Sequence, residues 1–135
     1  AFGISSAVTK SGVAGFTSRA LLACNHLWGI GGTLAALYFI TNVYTCLISN
    51  NAAAAMLFPI ALATAQYLQV DVMPFAITVA IAASFAFATP IGYQTNMMVY
   101  GPGGYRFTDF IRVGLPLQLV TGVLAVILLY LVYFN

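Results

Sequence analysis

Hydroxyl and carboxamide side chains interrupt the longest uncharged part of this chain. Ser49, Asn50 and Asn51 stand side by side within a run of 51 residues that has no formal charge. Thr45 lies one helical turn before Ser49 and would bring a second hydroxyl to the same face. Neutral oxygens of this kind can ligate a hard cation, and a Ser or Asn that opens a helix caps amides that attract an anion. The cluster predicts ion binding, and we expect no covalent chemistry and no enzyme.

A second polar interruption follows in "TPIGYQTN". Pro90 removes a backbone donor and disfavours helix at Thr89, and Gly92 adds backbone freedom. We therefore predict two half-helices, 74–88 and 95–100, joined by an unwound segment. Within lipid each unsatisfied backbone group costs several kcal/mol, so unwound chain is tolerated only where it is buried in protein or lines a cavity. Two such breaks predict a cavity.

The composition predicts an integral membrane protein. The chain is 62% hydrophobic and 4% charged, with a mean hydropathy of +1.00. A soluble domain has about a quarter of its residues charged, so a lipid bilayer is the expected surrounding. A net charge of +2 from six charged residues is too sparse for binding nucleic acid or a polybasic lipid contact. Cys24 and Cys46 lie in or near apolar sequence, where a small buried thiol is the usual interpretation, and this favours packing over a metal site.

The charged residues divide the chain into elements of an all-α membrane protein. One crossing needs about 20 apolar residues, so the region 27–70 is too long for one span and is expected to turn at its polar centre. The predicted elements are the end of a membrane helix at 1–9, an interfacial connecting helix at 11–26, a hairpin at 27–70 with its tip at 49–51, a broken helix at 74–100, and a last transmembrane helix at 110–134 that begins at Phe110 or Val113.

Each polar feature also has a plainer interpretation. The Ser-Asn-Asn stretch could be the aqueous loop of an ordinary two-helix hairpin, because about 20 residues lie on each side. Pro90 and Gly92 could mark a plain helix end with the following polar residues in water. His26 favours an interfacial position over a ligand role, since no acidic residue lies nearby.

Two segments resemble a known family. "SNNAAAAMLFPIALATA" and "FATPIGYQTNMMVYGPGGYRFTDFIRVGLPLQL" are similar to the second half of the divalent-anion/sodium symporters, the dicarboxylate and sulfate transporters of the ion-transporter superfamily. The resemblance implies two inverted repeats, each with a re-entrant hairpin and a broken helix that together bind Na⁺ and anion. It also implies that this chain is the second, C-terminal repeat and that an N-terminal repeat is missing.

The resemblance implies site residues position by position. The implied sodium-binding residues are Thr45, Ser49, Asn50 and Ala88. The implied substrate-binding residues are Asn50, Asn51, Thr89 and Pro90. Asn51 stands where most members have Thr, and "PIGYQTN" replaces the commoner Pro-Pro-Asn loop. The variant loop is more similar to members that carry sulfate than to those that carry citrate-type substrates.

We therefore expect a sodium-coupled symporter of small divalent anions such as sulfate or C4-dicarboxylates. Na⁺ is the coupling ion, and neither an organic cofactor nor a metal beyond sodium is expected. A homodimer in the plasma (inner) membrane, crossing it several times, is the expected assembly. Two alternatives stay open: a proton-coupled or arsenite-type anion carrier, and an accessory or structural membrane subunit without a substrate. The orientation is not fixed by charge, because two basic residues fall on each side.

Overall fold

The computed structural model describes residues 3, 6, 7 and 10–135. Between residues 13 and 134 the chain forms helices and no strand, which confirms the predicted all-α class. Most of the helix end expected at 1–9 lies outside the described residues. The helices are α1 (Val13–Leu47), α2 (Asn50–Leu68), α3 (Met73–Ser84), α4 (Gln94–Tyr100) and α5 (Phe107–Phe134).

A break at Gly29 divides α1 into two helical parts. Gly29 has φ 72° and ψ −158°, a conformation that glycine adopts without a steric penalty. The boundary between connecting helix and hairpin was expected after residue 26, and the structure interrupts the helix three residues later. His26 and Trp28, just before the break, are both exposed. The two parts of α1 therefore take different directions.

The turn between α1 and α2 is shorter than the predicted tip. It comprises Ile48 and Ser49 alone, and Asn50 and Asn51 already belong to the first turn of α2. The reason is the N-cap, because the Ser49 hydroxyl accepts a hydrogen bond from the backbone amide of Ala52 at 3.4 Å. The prediction of a tip at 49–51 is corrected to a two-residue turn.

The broken helix unwinds earlier than predicted. Its first half, α3, ends at Ser84, four residues before the predicted end at Ala88, and α4 begins at Gln94. Residues 85–93 are non-helical. Pro90 explains why the helix cannot run through residue 89, and side chains of other helices take over the backbone groups that precede it.

The last helix begins earlier than predicted. α5 starts at Phe107, rather than at Phe110 or Val113. The backbone amide of Arg106 donates to the Asp109 carboxylate at 2.8 Å, which stabilises this first turn. Pro116 consequently lies in the interior of α5 and not near its start.

Three helices form the core, and α5 packs along one side of it. The buried core of α1, α2 and α3 consists mainly of Leu21, Leu34, Leu37, Met56, Leu57, Ile60, Phe75 and Val79. α5 contacts α1 and α3, and its buried residues Gly114, Gln118 and Gly122 form a stripe with a spacing of four residues that faces α1 and the unwound segment. Small residues in such a stripe let membrane helices approach closely.

The opposite face of α5 is apolar and exposed, as expected for a lipid-facing helix. Within the described residues, three segments are long and apolar enough to cross a membrane: Gly15–Leu47, Asn50–Leu68 and Phe107–Phe134. The chain is therefore part of a multi-pass integral membrane protein.

Candidate functional site

The two polar breaks lie against each other. The Thr89 hydroxyl donates to the backbone carbonyl of Cys46, in the last turn of α1, at 2.8 Å. Gly92 is buried so closely against the same turn that a Cβ there would overlap the Thr45 backbone carbonyl. The two-residue turn and the unwound segment consequently line one cleft of about 600 Å³, formed by residues 47–51, residues 91–95 and Met97.

Four oxygen-bearing groups converge beneath this cleft. Thr45 is fully buried, and its hydroxyl donates to the backbone carbonyl of Ala83 at 2.9 Å. The Asn50 carboxamide contacts the Thr45 hydroxyl at 2.7 Å. When the carboxamide nitrogen faces Thr45, this nitrogen donates to the backbone carbonyls of Gly92 at 2.7 Å and Ala83 at 3.2 Å. We call Thr45, Asn50 and the carbonyls of Ala83 and Gly92 the oxygen cluster.

Helix ends, not charged side chains, determine the electrostatics here. Ala83 lies in the last turn of α3 and Thr45 in the last turn of α1, so two negative helix ends meet at the oxygen cluster. The N-terminus of α2, with its positive end, opens into the cleft at Asn50. The residues that line the cleft include no Asp, Glu, Lys or Arg. The cluster therefore suits a cation, and the cleft suits an anion next to it.

The residues expected at the sodium site do not all fall together. Thr45 and Asn50 are in contact with each other. Ser49 is exposed, and its hydroxyl caps α2. Ala88 is buried, but its backbone amide donates to Gln118 at 2.9 Å, on the α5 side of the unwound segment. The backbone carbonyls that reach the oxygen cluster are those of Ala83 and Gly92, which the sequence did not single out.

The residues expected to bind substrate surround the turn. Asn50 and Asn51 line the cleft, and Asn51 is exposed. Thr89 is half-buried, and besides donating to Cys46 it accepts a hydrogen bond from the Gly92 amide at 3.3 Å. Pro90 is buried within the unwound segment. Asn51 therefore opens onto the cleft, whereas Thr89 and Pro90 are not among the residues that line it.

Two residues that sequence reasoning missed hold the unwound segment in place. Asn42, on α1, donates to the carbonyls of Ala82 and Phe85 at 3.1 and 2.8 Å. Gln118, on α5, accepts from the backbone amides of Phe87 and Ala88 at 3.1 and 2.9 Å. Their signal in the sequence is a single carboxamide within an apolar helical stretch, where an unsatisfied polar group would be costly.

Comparison with known proteins places this arrangement in a class of membrane transporters. A family model described as "Citrate transporter" matches residues 1–135, and the chain belongs to that family. The family and its characterised relatives are transporters and not enzymes.

Three relatives of known sequence show the extent of the similarity, and one of them is named for sulfate. The chain is 45% identical over 93% of its length to a "Putative sulfur deprivation response regulator" of Chlamydomonas reinhardtii, of which it covers 21%. It is 44% identical over 96% of its length to an uncharacterized transporter of Synechocystis, again covering 21%. It is 37% identical over 88% of its length to "Probable sodium/sulfate cotransporter 3" of Chlamydomonas reinhardtii, covering 13%. The chain thus spans about a fifth or less of the length of these relatives.

Proposed function

We propose that this chain forms part of a sodium-coupled symporter that takes up small divalent anions, with sulfate preferred over C4-dicarboxylates. The observation that carries the proposal is the oxygen cluster, in which Thr45 and Asn50 meet backbone carbonyls from the broken helix. The names of relatives such as "Sodium/sulfate cotransporter 1" of Chlamydomonas reinhardtii, which is 36% identical, support both the cation and the anion.

The sodium part of the proposal rests on the chemistry of the cluster. Its groups are neutral oxygen ligands, which suit a hard cation that must bind and leave again. In this structure the Asn50 amide donates hydrogen bonds to the carbonyls of Ala83 and Gly92. A sodium ion would replace that amide as their positive partner, and Asn50 would turn its carbonyl oxygen toward the ion. The resemblance adds Ser49 and Ala88 to the proposed ligands, although neither belongs to the oxygen cluster.

The anion part of the proposal rests on the cleft next to the cluster. Asn51 and the amides at the start of α2 offer donors, and Thr89 ties the unwound segment to the end of α1 next to the cleft. Thr89 and Pro90 are the further substrate-binding residues of the proposal. Sodium in the cluster adds positive charge beside the cleft, so anion affinity should rise with sodium concentration. By linkage, sodium affinity should rise with anion concentration by the same factor.

The remainder of the proposed transporter lies outside these 135 residues. An inverted N-terminal repeat would supply a second hairpin and broken helix, so that substrate binds between two repeats and alternating access exposes it to each side. A homodimer in the plasma membrane is the proposed assembly, and the five predicted elements form one repeat of each protomer.

The test is sulfate uptake by the full-length protein in liposomes. We expect an inward sodium gradient to drive accumulation of radiolabelled sulfate, and an equal potassium gradient at the same pH to drive none. Succinate is added as a competitor because it is a C4-dicarboxylate, and citrate because the matching family is described as "Citrate transporter". Uptake that follows a proton gradient without sodium would favour the proton-coupled carrier. Stronger competition by citrate than by unlabelled sulfate would overturn the proposed anion.

Alanine substitutions distinguish a transporter from an accessory subunit. Ser49→Ala, Asn50→Ala and Thr89→Ala should each lower sodium-driven uptake, because all three side chains lie at the junction of the breaks. A matched control is Ser84→Ala, whose exposed hydroxyl binds only the Ala80 carbonyl of its own helix. Full activity in all four variants would support an accessory role instead.

A further inference from the structure

Asn42 and Gln118 form a buried pair of carboxamides that joins α1 to α5. Asn42 is 3% exposed and Gln118 is 7% exposed. The Gln118 side-chain nitrogen donates a hydrogen bond to the Asn42 carboxamide oxygen. The same nitrogen lies 3.5 Å from the sulfur of Cys46. The pair therefore spans from the hairpin to the last helix through side chains alone.

Both carboxamides use their remaining capacity on the unwound segment. The two hydrogens on the Asn42 nitrogen go to the carbonyls of Ala82 and Phe85, and the Gln118 oxygen accepts from the amides of Phe87 and Ala88. Each of these backbone groups lies at the end of α3 or in the segment after it and binds the pair, and the Ala82 carbonyl also accepts from the Phe85 amide at 3.4 Å. Because unpartnered amides and carbonyls are costly in a membrane, the pair makes the unwound conformation tolerable.

The chemistry of the pair selects carboxamides over other side chains. Each of the two side chains must donate hydrogen bonds on one side and accept them on the other. A hydroxyl forms fewer hydrogen bonds than a carboxamide, and an ionised carboxylate cannot donate any. Charged groups would also carry a large desolvation cost at a buried position. Gln118 must point its oxygen at two amides, so its nitrogen faces Asn42, whose own nitrogen then faces the two carbonyls.

The groups that the pair holds adjoin residues of the candidate site. The carbonyls of Ala82 and Phe85 lie on either side of Ala83, whose own carbonyl belongs to the oxygen cluster. Ala88 directly precedes Thr89, whose hydroxyl binds the end of α1. A displacement of the held groups would therefore move both the cluster and the floor of the cleft.

We propose that Asn42 and Gln118 are positioning residues that hold residues 82–88 in the shape required for sodium binding, and that they tie α5 to the hairpin. The expected effect on sodium binding rests on the proposed function. The expected effect on the backbone is measured separately, as the protection of its amides from hydrogen exchange. Neither side chain reaches the cleft, so their effect is transmitted through the unwound segment.

The experiment compares Gln118→Met with the wild type in the full-length protein. Methionine keeps the length of the side chain and removes both hydrogen-bonding functions. We expect amide hydrogen exchange to speed up at least about tenfold in peptides that cover residues 85–89, and the half-saturating sodium concentration to rise about tenfold, as for losing hydrogen bonds to buried groups. Maximal uptake per folded protein should change little. If Gln118→Met does not accumulate, Gln118→Asn, which shortens the side chain, is measured in the same way.

The controls separate positioning from general stability. Gln66→Met removes an exposed carboxamide from α2 and should change neither readout. The double variant Asn42→Gln with Gln118→Asn swaps the lengths of the two side chains. It should recover part of the sodium affinity, because the pair can form again. Unchanged exchange at residues 85–89 in Gln118→Met would overturn the inference. So would a loss of maximal uptake with an unchanged sodium dependence.

The two proposals fail in different ways. Sodium-independent uptake by the wild type would refute the proposed function and, with it, the sodium part of this inference. Exchange at residues 85–89 needs no transport, so it still decides whether the pair holds the backbone. Normal exchange in Gln118→Met beside sodium-driven wild-type uptake would refute the inference alone.

Discussion

The turn between α1 and α2 and the unwound segment between α3 and α4 break their helices by different means. The turn takes two residues, and its bonds are local: the Ile48 amide donates to the Tyr44 carbonyl, and the Ser49 hydroxyl caps α2. The unwound segment takes nine residues. Thr89 and Asn96 bind part of its backbone locally, and side chains far away in sequence, on α1 and α5, bind the rest. The first break is thus encoded where it occurs, and the second also requires contacts from α1 and α5.

This difference determines what each break can do. A locally capped turn keeps its shape when its surroundings move, whereas the unwound segment keeps its shape only while α1 and α5 stay in contact with it. Thr45 connects the two, because its hydroxyl reaches the Ala83 carbonyl of the broken helix from a position just before the turn. Substitutions should therefore have their largest effects on the contacts of the unwound segment and their smallest at the turn.

The largest effect is expected from adding a methyl group where helices meet the unwound segment. In Gly114→Ala the new Cβ would overlap the Phe87 carbonyl, and in Gly92→Ala it would overlap that of Thr45. Because the obstacle is backbone in both cases, we expect each change to cost about 3 kcal/mol or more in stability and to abolish uptake. Thermal unfolding of the purified protein in detergent measures the first quantity.

Gly101→Ala is the matched control for these substitutions. Gly101 is exposed, has an ordinary φ of −71°, and a Cβ there would meet nothing within 4 Å. Its unfolding temperature should stay near that of the wild type. Equal losses in all three glycine variants would contradict the idea that close approach to the unwound segment is the critical feature.

An intermediate effect is expected from Thr45→Val. The variant keeps the shape of the side chain but leaves the Ala83 carbonyl and the Asn50 carboxamide without their buried hydroxyl partner. A hydrogen bond contributes about 0.5–1.5 kcal/mol, so losing the two bonds of this hydroxyl should lower the free energy of unfolding by about 1–3 kcal/mol. Denaturant or thermal unfolding measures it, and sodium-driven uptake should fall with it.

Thr78→Val provides the comparison for Thr45→Val. Both threonines are fully buried, but the Thr78 hydroxyl binds only the Pro74 carbonyl one turn earlier in its own helix. That bond contributes little, so we expect a change within about 0.5 kcal/mol. If the two valine variants lost equal stability, contact between the breaks would not explain the role of Thr45.

The sequence predicts the local break better than the distant one. Ser49 before a run of alanines indicates a cap, and the structure moves the predicted turn by only one or two residues. Pro90 and Gly92 indicate an unwound segment, but its start at residue 85 could not be predicted from them. Helix α3 ends where Asn42 binds the carbonyls of Ala82 and Phe85, and no local pattern contains that information.

The candidate site shows the same limit. Thr45 and Asn50 are close in sequence, and the two-residue turn between α1 and α2 brings them together. Backbone carbonyls carry no mark in a sequence, so the resemblance pointed to Ala88, while the structure brings the carbonyls of Ala83 and Gly92 to the cluster. Gln118 lies 30 residues from the amide of Ala88 that it binds, and only the packing of α5 shows the contact.

The smallest effect on stability, and the sharpest question, concerns Ser49. As an N-cap its replacement by alanine should cost about 0.5–1 kcal/mol, and its replacement by glycine only a few tenths, because glycine is itself a tolerated cap. As a sodium ligand it would lose its oxygen equally in both variants. We therefore expect Ser49→Ala and Ser49→Gly to differ in unfolding temperature but to raise the half-saturating sodium concentration alike. A sodium dependence that stays at the wild-type value in both would restrict the Ser49 hydroxyl to capping α2, and the cation would then be held by the oxygen cluster without it.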